Sequence, residues 1–119
     1  MLTPSQPAPP FTGYTPGQPT LIVFFETDCP TCQLALPYVN KLSGSAVKIV
    51  GISQDNEAPT REFVRQLGIT FPVELDRGLN ISRAYNPASV PTFFLVGADG
   101  RIQQALQGFD KAGLNDLAA

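Results

Sequence analysis

The sequence predicts an α/β domain: a central mixed sheet of four to five strands with helices on both faces. Three observations carry this. The run Thr20 to Phe25, TLIVFF, is continuously apolar, β-branched and aromatic, as in a strand buried on both faces. Behind it, helix-patterned and strand-patterned segments alternate at the spacing of strand–helix–strand units, which implies parallel pairing with right-handed crossover. Late in the chain, two strand-like runs flank Asp99-Gly100, whose turn chemistry makes an antiparallel hairpin.

Bulk properties bound the rest. The chain has 119 residues, which suits one domain, and 43% of them are hydrophobic, enough to line a core. Only 15% are charged, the formal net charge is −2, and the eight basic residues are scattered singly. Nucleic acid is therefore not an expected partner, because phosphate binding needs clustered Lys and Arg. No apolar run approaches the roughly 20 residues that cross a bilayer. Histidine is absent, which excludes Cys–His and Ser–His nucleophilic catalysis and any His-ligated metal. The N-terminus lacks a signal-peptide pattern, which leaves two readings open: a cytosolic protein, or a chain that begins after a removed leader.

The elements follow in order. Residues 1–19 hold six of the twelve prolines and read as an extended arm, packed through Phe11 and Tyr14. After the first strand, a helix is predicted over Pro30 to Ser43, with Cys32, Ala35, Leu36, Val39 and Leu42 on one face and Gly44 as its stop. Pro37 inside it removes the bond to the carbonyl of Gln33 and should kink the axis. Ala46 to Ser53 is a second strand. A loop, QDNEAP, leads into a helix over Pro59 to Leu67, with Phe63, Val64 and Leu67 facing inward and Gly68 ending it. Phe71 to Leu75 is an edge strand, since Pro72 bars a central place. Gly78 to Tyr85 reads as a short helix. The hairpin strands are Thr92 to Val96 and Ile102 to Leu106, and a last helix is capped by Asp110 and buries Leu114 and Leu117.

Both cysteines of the chain lie in FFETDCPTCQLALPYV, where the first strand gives way to the first helix. With Cys29 at the helix start, Pro30 takes the first helical position, where its missing N–H costs nothing. Unpaired amides and the positive end of the helix dipole then point at the Cys29 sulfur and favour the nucleophilic thiolate. Cys32 lies one turn deeper on the same side, close enough for a disulfide. The outer sulfur can attack a partner's disulfide and the inner one can resolve the mixed disulfide. Two other readings stay open. A zinc site needs four ligands, so two thiols would have to be shared across a dimer. A purely structural disulfide closing so short a loop would constrain little chain entropy.

Strand–Cys-x-x-Cys–helix, with Val90-Pro91-Thr92 opening a later hairpin, resembles the thioredoxin fold. The finer match is to thioredoxin-like thiol–disulfide oxidoreductases of the TlpA/ResA redoxin type. LIVFFETDCPTCQLALP, KIVGIS, FPVELD ahead of AYNPASVPTFFLVGADGRI, and the late QGF are similar to segments of that family, over about Thr20 to Leu117. The resemblance implies a thioredoxin-like domain over residues 20–119, preceded by the arm. It implies an enzyme that exchanges the Cys29–Cys32 dithiol/disulfide with protein thiols through a mixed disulfide. Expected partners are protein thiol or disulfide substrates and a reductant or oxidant protein, so that the chain serves electron transport with no cofactor and no metal. A monomer is expected. The location implied is extracytoplasmic, periplasmic or membrane-anchored, if the short arm marks a trimmed member whose gene encodes a leader or anchor ahead of Met1, and cytoplasmic otherwise.

The resemblance also assigns site residues. Cys29 and Cys32 are the expected catalytic pair, and Pro30 and Thr31 between them should influence the redox balance. In the family the proline matching Pro91 is cis and lies against the cysteines. A cis bond there would turn the backbone of Val90 toward them, where its N–H and C=O could pair with an extended substrate. The sequence departs from the family at three places. Asp28 stands where a tryptophan is common, Val23 where some members bury an acid, and Ala35 where some carry a glutamate. The usual proton acceptors for the inner thiol are thus missing. Glu26 is the stand-in for a proton relay, against the plainer reading of a solvated loop carboxylate. Asp28, if close to Cys29, should oppose its thiolate.

Rival functions remain at this point. A peroxiredoxin-like peroxide reductase needs Pro-x-x-x-Thr-x-x-Cys, but Glu26 precedes Cys29 by three and Cys29 precedes Cys32 by three. A copper chaperone of related fold resembles Cys-x-x-x-Cys with a distant histidine, and neither is present. A non-catalytic thioredoxin-fold docking module is disfavoured by the intact pair.

Overall fold

The computed structural model describes residues 1–42 and 46–118, the side chains of 117 and 118 aside. The chain runs β1 (Thr20–Phe25), α1 (Pro30–Asn40), β2 (Lys48–Ser53), α2 (Glu57–Leu67), β3 (Val73–Leu75), α3 (Asn80–Tyr85), β4 (Thr92–Val96), β5 (Ile102–Gln107) and α4 (Lys111–Ala118). The five strands form one sheet in the order β3-β2-β1-β4-β5. β1 pairs in parallel with β2, and β2 with β3, while β1–β4 and β4–β5 are antiparallel.

The unbroken apolar run of β1 follows from its central position, since every residue of the strand is buried. Successive side chains point to opposite faces. Leu21, Val23 and Phe25 meet Cys32, Leu36 and Val39 of α1, Phe63 of α2 and Leu114 of α4. Ile22 and Phe24 meet Tyr85 of α3 with Ala8 and Tyr14 of the N-terminal segment. Three helices therefore cover one face, and α3 with the N-terminal segment covers the other.

That segment is stitched down along its length. Ser5 N–H and Ala8 N–H donate to the carbonyls of Ile102 and Gly100, and Ile102 N–H donates to Gln6 O. The Tyr85 hydroxyl donates to Pro9 O at 2.7 Å. Tyr14 is buried, and Phe11 lies half-buried against it with ring centroids 5.6 Å apart.

Several element bounds differ from the sequence-based expectation. The second helix starts at Glu57, not Pro59, with Asn56 in the capping position. Pro59 is then the third helical residue, still in the first turn, where its missing N–H has no partner to lose. The first helix continues through Pro37 and ends at Asn40, because Lys41 and Leu42 donate to Tyr38 O and Val39 O in tighter three-residue turns. The expected end at Ser43 and the stop at Gly44 lie outside the described residues. β2 begins at Lys48 rather than Ala46, where pairing with Thr20 begins. β3 is shorter than Phe71–Leu75 and lies on the sheet edge. The expected helix from Gly78 splits, because Gly78 and Leu79 take φ of 66° and 58°. A short 3-10 turn over Arg77–Leu79 gives way to α3, whose Ile81 and Ser82 N–H groups the buried Asp76 carboxylate accepts at 2.8 Å each. β5 runs one residue further, to Gln107. Asp110 Oδ1 accepts the Gly113 N–H at 3.2 Å at the start of α4, and Leu114 is buried. Leu117 lies outside the described side chains.

Candidate active site

The carboxyl ends of β1 and β2 and the entry to β4 meet at one rim of the sheet, because Phe24 of β1 pairs with Thr92 of β4. The loop from Glu26 to Cys29 and the Val90-Pro91 turn therefore face each other. Cys29 occupies the capping position of α1 with extended backbone (φ −90°, ψ 113°), and Pro30 follows at the first helical position. The free amides of the first turn need acceptors. One finds the Cys29 sulfur: Cys32 N–H donates to Cys29 Sγ at 3.2 Å. The Cys29 thiol in turn donates to Val90 O at 3.7 Å.

The two thiols are unequal. Cys29 is half-buried, whereas Cys32 is 0% exposed. Burial pushes the Cys32 thiol well above the ordinary 9.0, and its hydrogen bond with Cys29 adds to the rise. A backbone hydrogen bond from Glu26 pulls the other way, and the charges of Cys29 and Glu26 raise it a little further. Cys32 is thus held as a protonated thiol one turn below a reachable sulfur.

The other predicted residues fall around this pair. Pro30, Thr31 and Asp28 are exposed, and Glu26 is half-buried. The Val90–Pro91 peptide bond is cis, Pro91 is buried, and Val90 is half-buried with its carbonyl on Cys29. Leu34, 68% exposed on α1, adds an apolar side chain to the outer face of that helix. Among the described residues no three Cys, Asp or Glu side chains gather as a metal site. A cleft of about 520 Å³ lies on the opposite face, between the N-terminal segment and α3, and touches neither cysteine. Cys29 thus lies half-buried at the rim of the sheet, with Cys32 beneath it.

Two residues at this rim escaped the sequence reading. Asp55, in the loop after β2, accepts the Thr27 N–H at 2.6 Å. Gln33, on the first turn of α1, donates from Nε2 to Thr27 O at 3.0 Å. Thr27 and Asp55 are 28 residues apart, and no local pattern announces a bond across that distance.

A mixed five-stranded sheet with a Cys-x-x-Cys pair at the tip of the first helix, facing a proline loop, is the thioredoxin-like arrangement. StoA from Bacillus subtilis has a similar fold, with a TM-score of 0.78 at 24% identity over 88% of this chain and 85% of that one. So does a thiol:disulfide interchange protein of the thioredoxin family from Chlorobium tepidum, with a TM-score of 0.80 at 24% identity over 99% and 96%. Within that class the chain belongs to the Redoxin family, whose model matches residues 3–119. Thiol-disulfide oxidoreductase ResA of Bacillus thuringiensis subsp. konkukian is 31% identical over 97 residues, which are 77% of this chain and 56% of that protein. The chain thus spans little more than half the length of the curated relatives it matches.

Proposed function

We propose that the protein is a thiol–disulfide oxidoreductase that exchanges its Cys29–Cys32 dithiol with the disulfides of protein substrates. One observation carries this reading: the reachable Cys29 Sγ lies 3.2 Å from the Cys32 N–H, while Cys32 itself is wholly buried. The asymmetry orders the steps. The Cys29 thiolate attacks one sulfur of the substrate disulfide, that S–S bond breaks, and the departing thiolate takes a proton. Cys32 then loses its proton and attacks Cys29 Sγ. This closes the internal disulfide and releases the second substrate thiol, so two electrons and two protons pass to the substrate. Run backward, the same steps oxidise a dithiol.

The raised affinity of Cys32 for its proton makes the second step the one that needs help. We assign the role of acceptor to Glu26, whose charge reaches Cys32. Val90, with its carbonyl on Cys29, is the backbone group that an extended substrate would meet on displacing the thiol's hydrogen bond. Pro30 and Thr31 form the exposed turn between the sulfurs and bear on their redox balance. Protein substrates and a partner reductant or oxidant complete the reading, supported by the 31% identity to Thiol-disulfide oxidoreductase ResA; the site of action is extracytoplasmic if the chain is a trimmed family member and cytoplasmic otherwise.

The test is reduction of insulin disulfides by the dithiol form, followed by turbidity. The wild-type chain should accelerate precipitation and Cys29→Ser should abolish the effect. Equal rates with and without the protein would end the proposal.

A further inference from the structure

Resting on the redox reading above, we propose that Asp55 is a positioning residue for the thiol chemistry, clamping the loop that carries Cys29 through the Thr27 backbone. The loop from Glu26 to Cys29 belongs to neither β1 nor α1, so its peptide groups need partners from elsewhere. Thr27 has both satisfied by side chains, its N–H by Asp55 Oδ2 at 2.6 Å and its C=O by Gln33 Nε2 at 3.0 Å.

Each holder is itself held. Asp55 N–H donates to Ser53 Oγ at 3.1 Å, and Ser53 Oγ shares a buried hydrogen bond of 2.6 Å with Thr60 Oγ1 of α2. Gln54 N–H donates to Phe25 O, the last carbonyl of β1, at 3.1 Å. Gln33 N–H donates to Cys29 O at 3.0 Å. The chain of contacts runs from α2 through the end of β2 and across the loop to α1. Thr27 lies two residues before Cys29, and the peptide that Asp55 grips joins Thr27 to Glu26, whose backbone bonds the Cys32 thiol. Both sulfurs are therefore referenced to the clamped loop.

A hydrogen bond to an ionised acceptor is among the stronger kinds. Without it the loop samples more conformations, and the Cys32 N–H meets the Cys29 sulfur less often. The Asp55 carboxylate supplies both an acceptor and a charge, and two substitutions separate them. Asp55→Asn keeps an oxygen acceptor and drops the charge. Asp55→Ala drops both.

The experiment measures the iodoacetamide rate of Cys29 in a Cys32→Ser background at pH 7. The glutathione redox equilibrium of the Cys29–Cys32 couple in the otherwise wild-type chain is measured beside it. Asp55→Ala should slow Cys29 about tenfold, equivalent to ~1.4 kcal/mol, and make the couple more reducing, because the reduced form loses its preorganised donor. Asp55→Asn should stay within about threefold of the parent, since its amide oxygen still accepts. Gln33→Met changes an exposed helix side chain that folding does not require, removes the other half of the clamp, and should slow Cys29 by about threefold, a neutral bond being the weaker kind. Asn40→Ala is the control for general loosening. Asn40 ties α1 to Gly68 O and Thr70 N–H away from the cysteines, so its loss should lower Tm and leave the Cys29 rate unchanged. Three results would overturn the proposal: Asp55→Ala at the parent rate, Asp55→Ala and Asp55→Asn both faster, or Asn40→Ala as slow as Asp55→Ala. These rates need no protein substrate, so a failure of insulin reduction and a failure of the clamp read out separately.

Discussion

Replacing Cys29 by Ser leaves Cys32 as the lone thiol and isolates the inner sulfur. An ordinary thiol of pKa 9.0 is about one tenth ionised at pH 8, and every further tenfold loss of thiolate corresponds to ~1.4 kcal/mol. Burial is the first cause of the rise at Cys32, and enclosure in a core can suppress the charged form of a group by about a thousandfold or more. Its 0% exposure also denies a reagent any approach. Together these predict iodoacetamide alkylation at least ~100-fold slower than for Cys29 in the Cys32→Ser variant at pH 8, a thiolate deficit worth ~2.7 kcal/mol. The assay is intact-mass spectrometry over time from pH 7 to 10, with the chain unfolded in guanidinium chloride as the reference. The native Cys32 rate should still be climbing at pH 10, whereas the unfolded chain should level off above the ordinary thiol value. A native rate within about threefold of Cys29, or a plateau near the value of 9.0 for a free thiol, would refute the reasoning.

Other outcomes follow from the same structure. The native dithiol keeps the Cys32 proton after the unfolded chain has lost it, so stability is full below pH 9.0 and falls as pH rises above it, by up to about 1.4 kcal/mol for each tenfold drop in proton concentration. Above pH 10.0 the buried phenols of Tyr85 and Tyr14, both raised by burial, add to the loss. Urea titrations at pH 8 and 9.8 should show a larger drop in the dithiol form than in Cys32→Ala, where only the tyrosines contribute. Glu26→Gln should make the mixed disulfide with a model substrate persist longer, seen as a larger trapped fraction on acid quenching, and an unchanged fraction would remove Glu26 from the proton path. Asp28→Asn, which deletes an exposed charge beside Cys29, should speed Cys29 alkylation by no more than about threefold, less so in high salt; a slower rate would contradict the electrostatic argument. Gly51→Ala should destabilise by about 1–3 kcal/mol in chemical denaturation, because the added methyl would lie 3.0 Å from Phe71 Cε1 and 3.2 Å from Phe25 Cε1.

What could be read in the sequence tracks how local the physics is. TLIVFF announced β1 because a central strand must be apolar on both sides. The cysteine pair was legible because its spacing, the proline after Cys29 and the strand before it all act within one turn of chain. Asp99-Gly100 marked its hairpin for the same reason, and Gly100 does take a φ of 81°. Pro59 misled as a start signal, since a proline is tolerated throughout a helix's first turn. The break at Gly78 and Leu79 was invisible because Leu79 has no intrinsic preference for its positive φ; the buried Asp76 that caps α3 beyond it is what orders the turn. The path of the N-terminal segment could be guessed only at Phe11 and Tyr14. Its main ties are hydrogen bonds with β5 and the turn before it, and one of them, from the Arg101 guanidinium to Ser5 O, spans 96 residues. The Asp55–Thr27 bond is illegible on the same grounds, being side chain to backbone across a crossover.

If Cys29 and Cys32 form one working couple with Cys29 outermost, a trapped intermediate will reveal it. A disulfide-linked peptide is offered to Cys32→Ser and to Cys29→Ser, and the products are weighed by mass spectrometry. A stable mixed disulfide through Cys29 should form in the first variant and none in the second. Adducts at Cys32, or none in either variant, would contradict it.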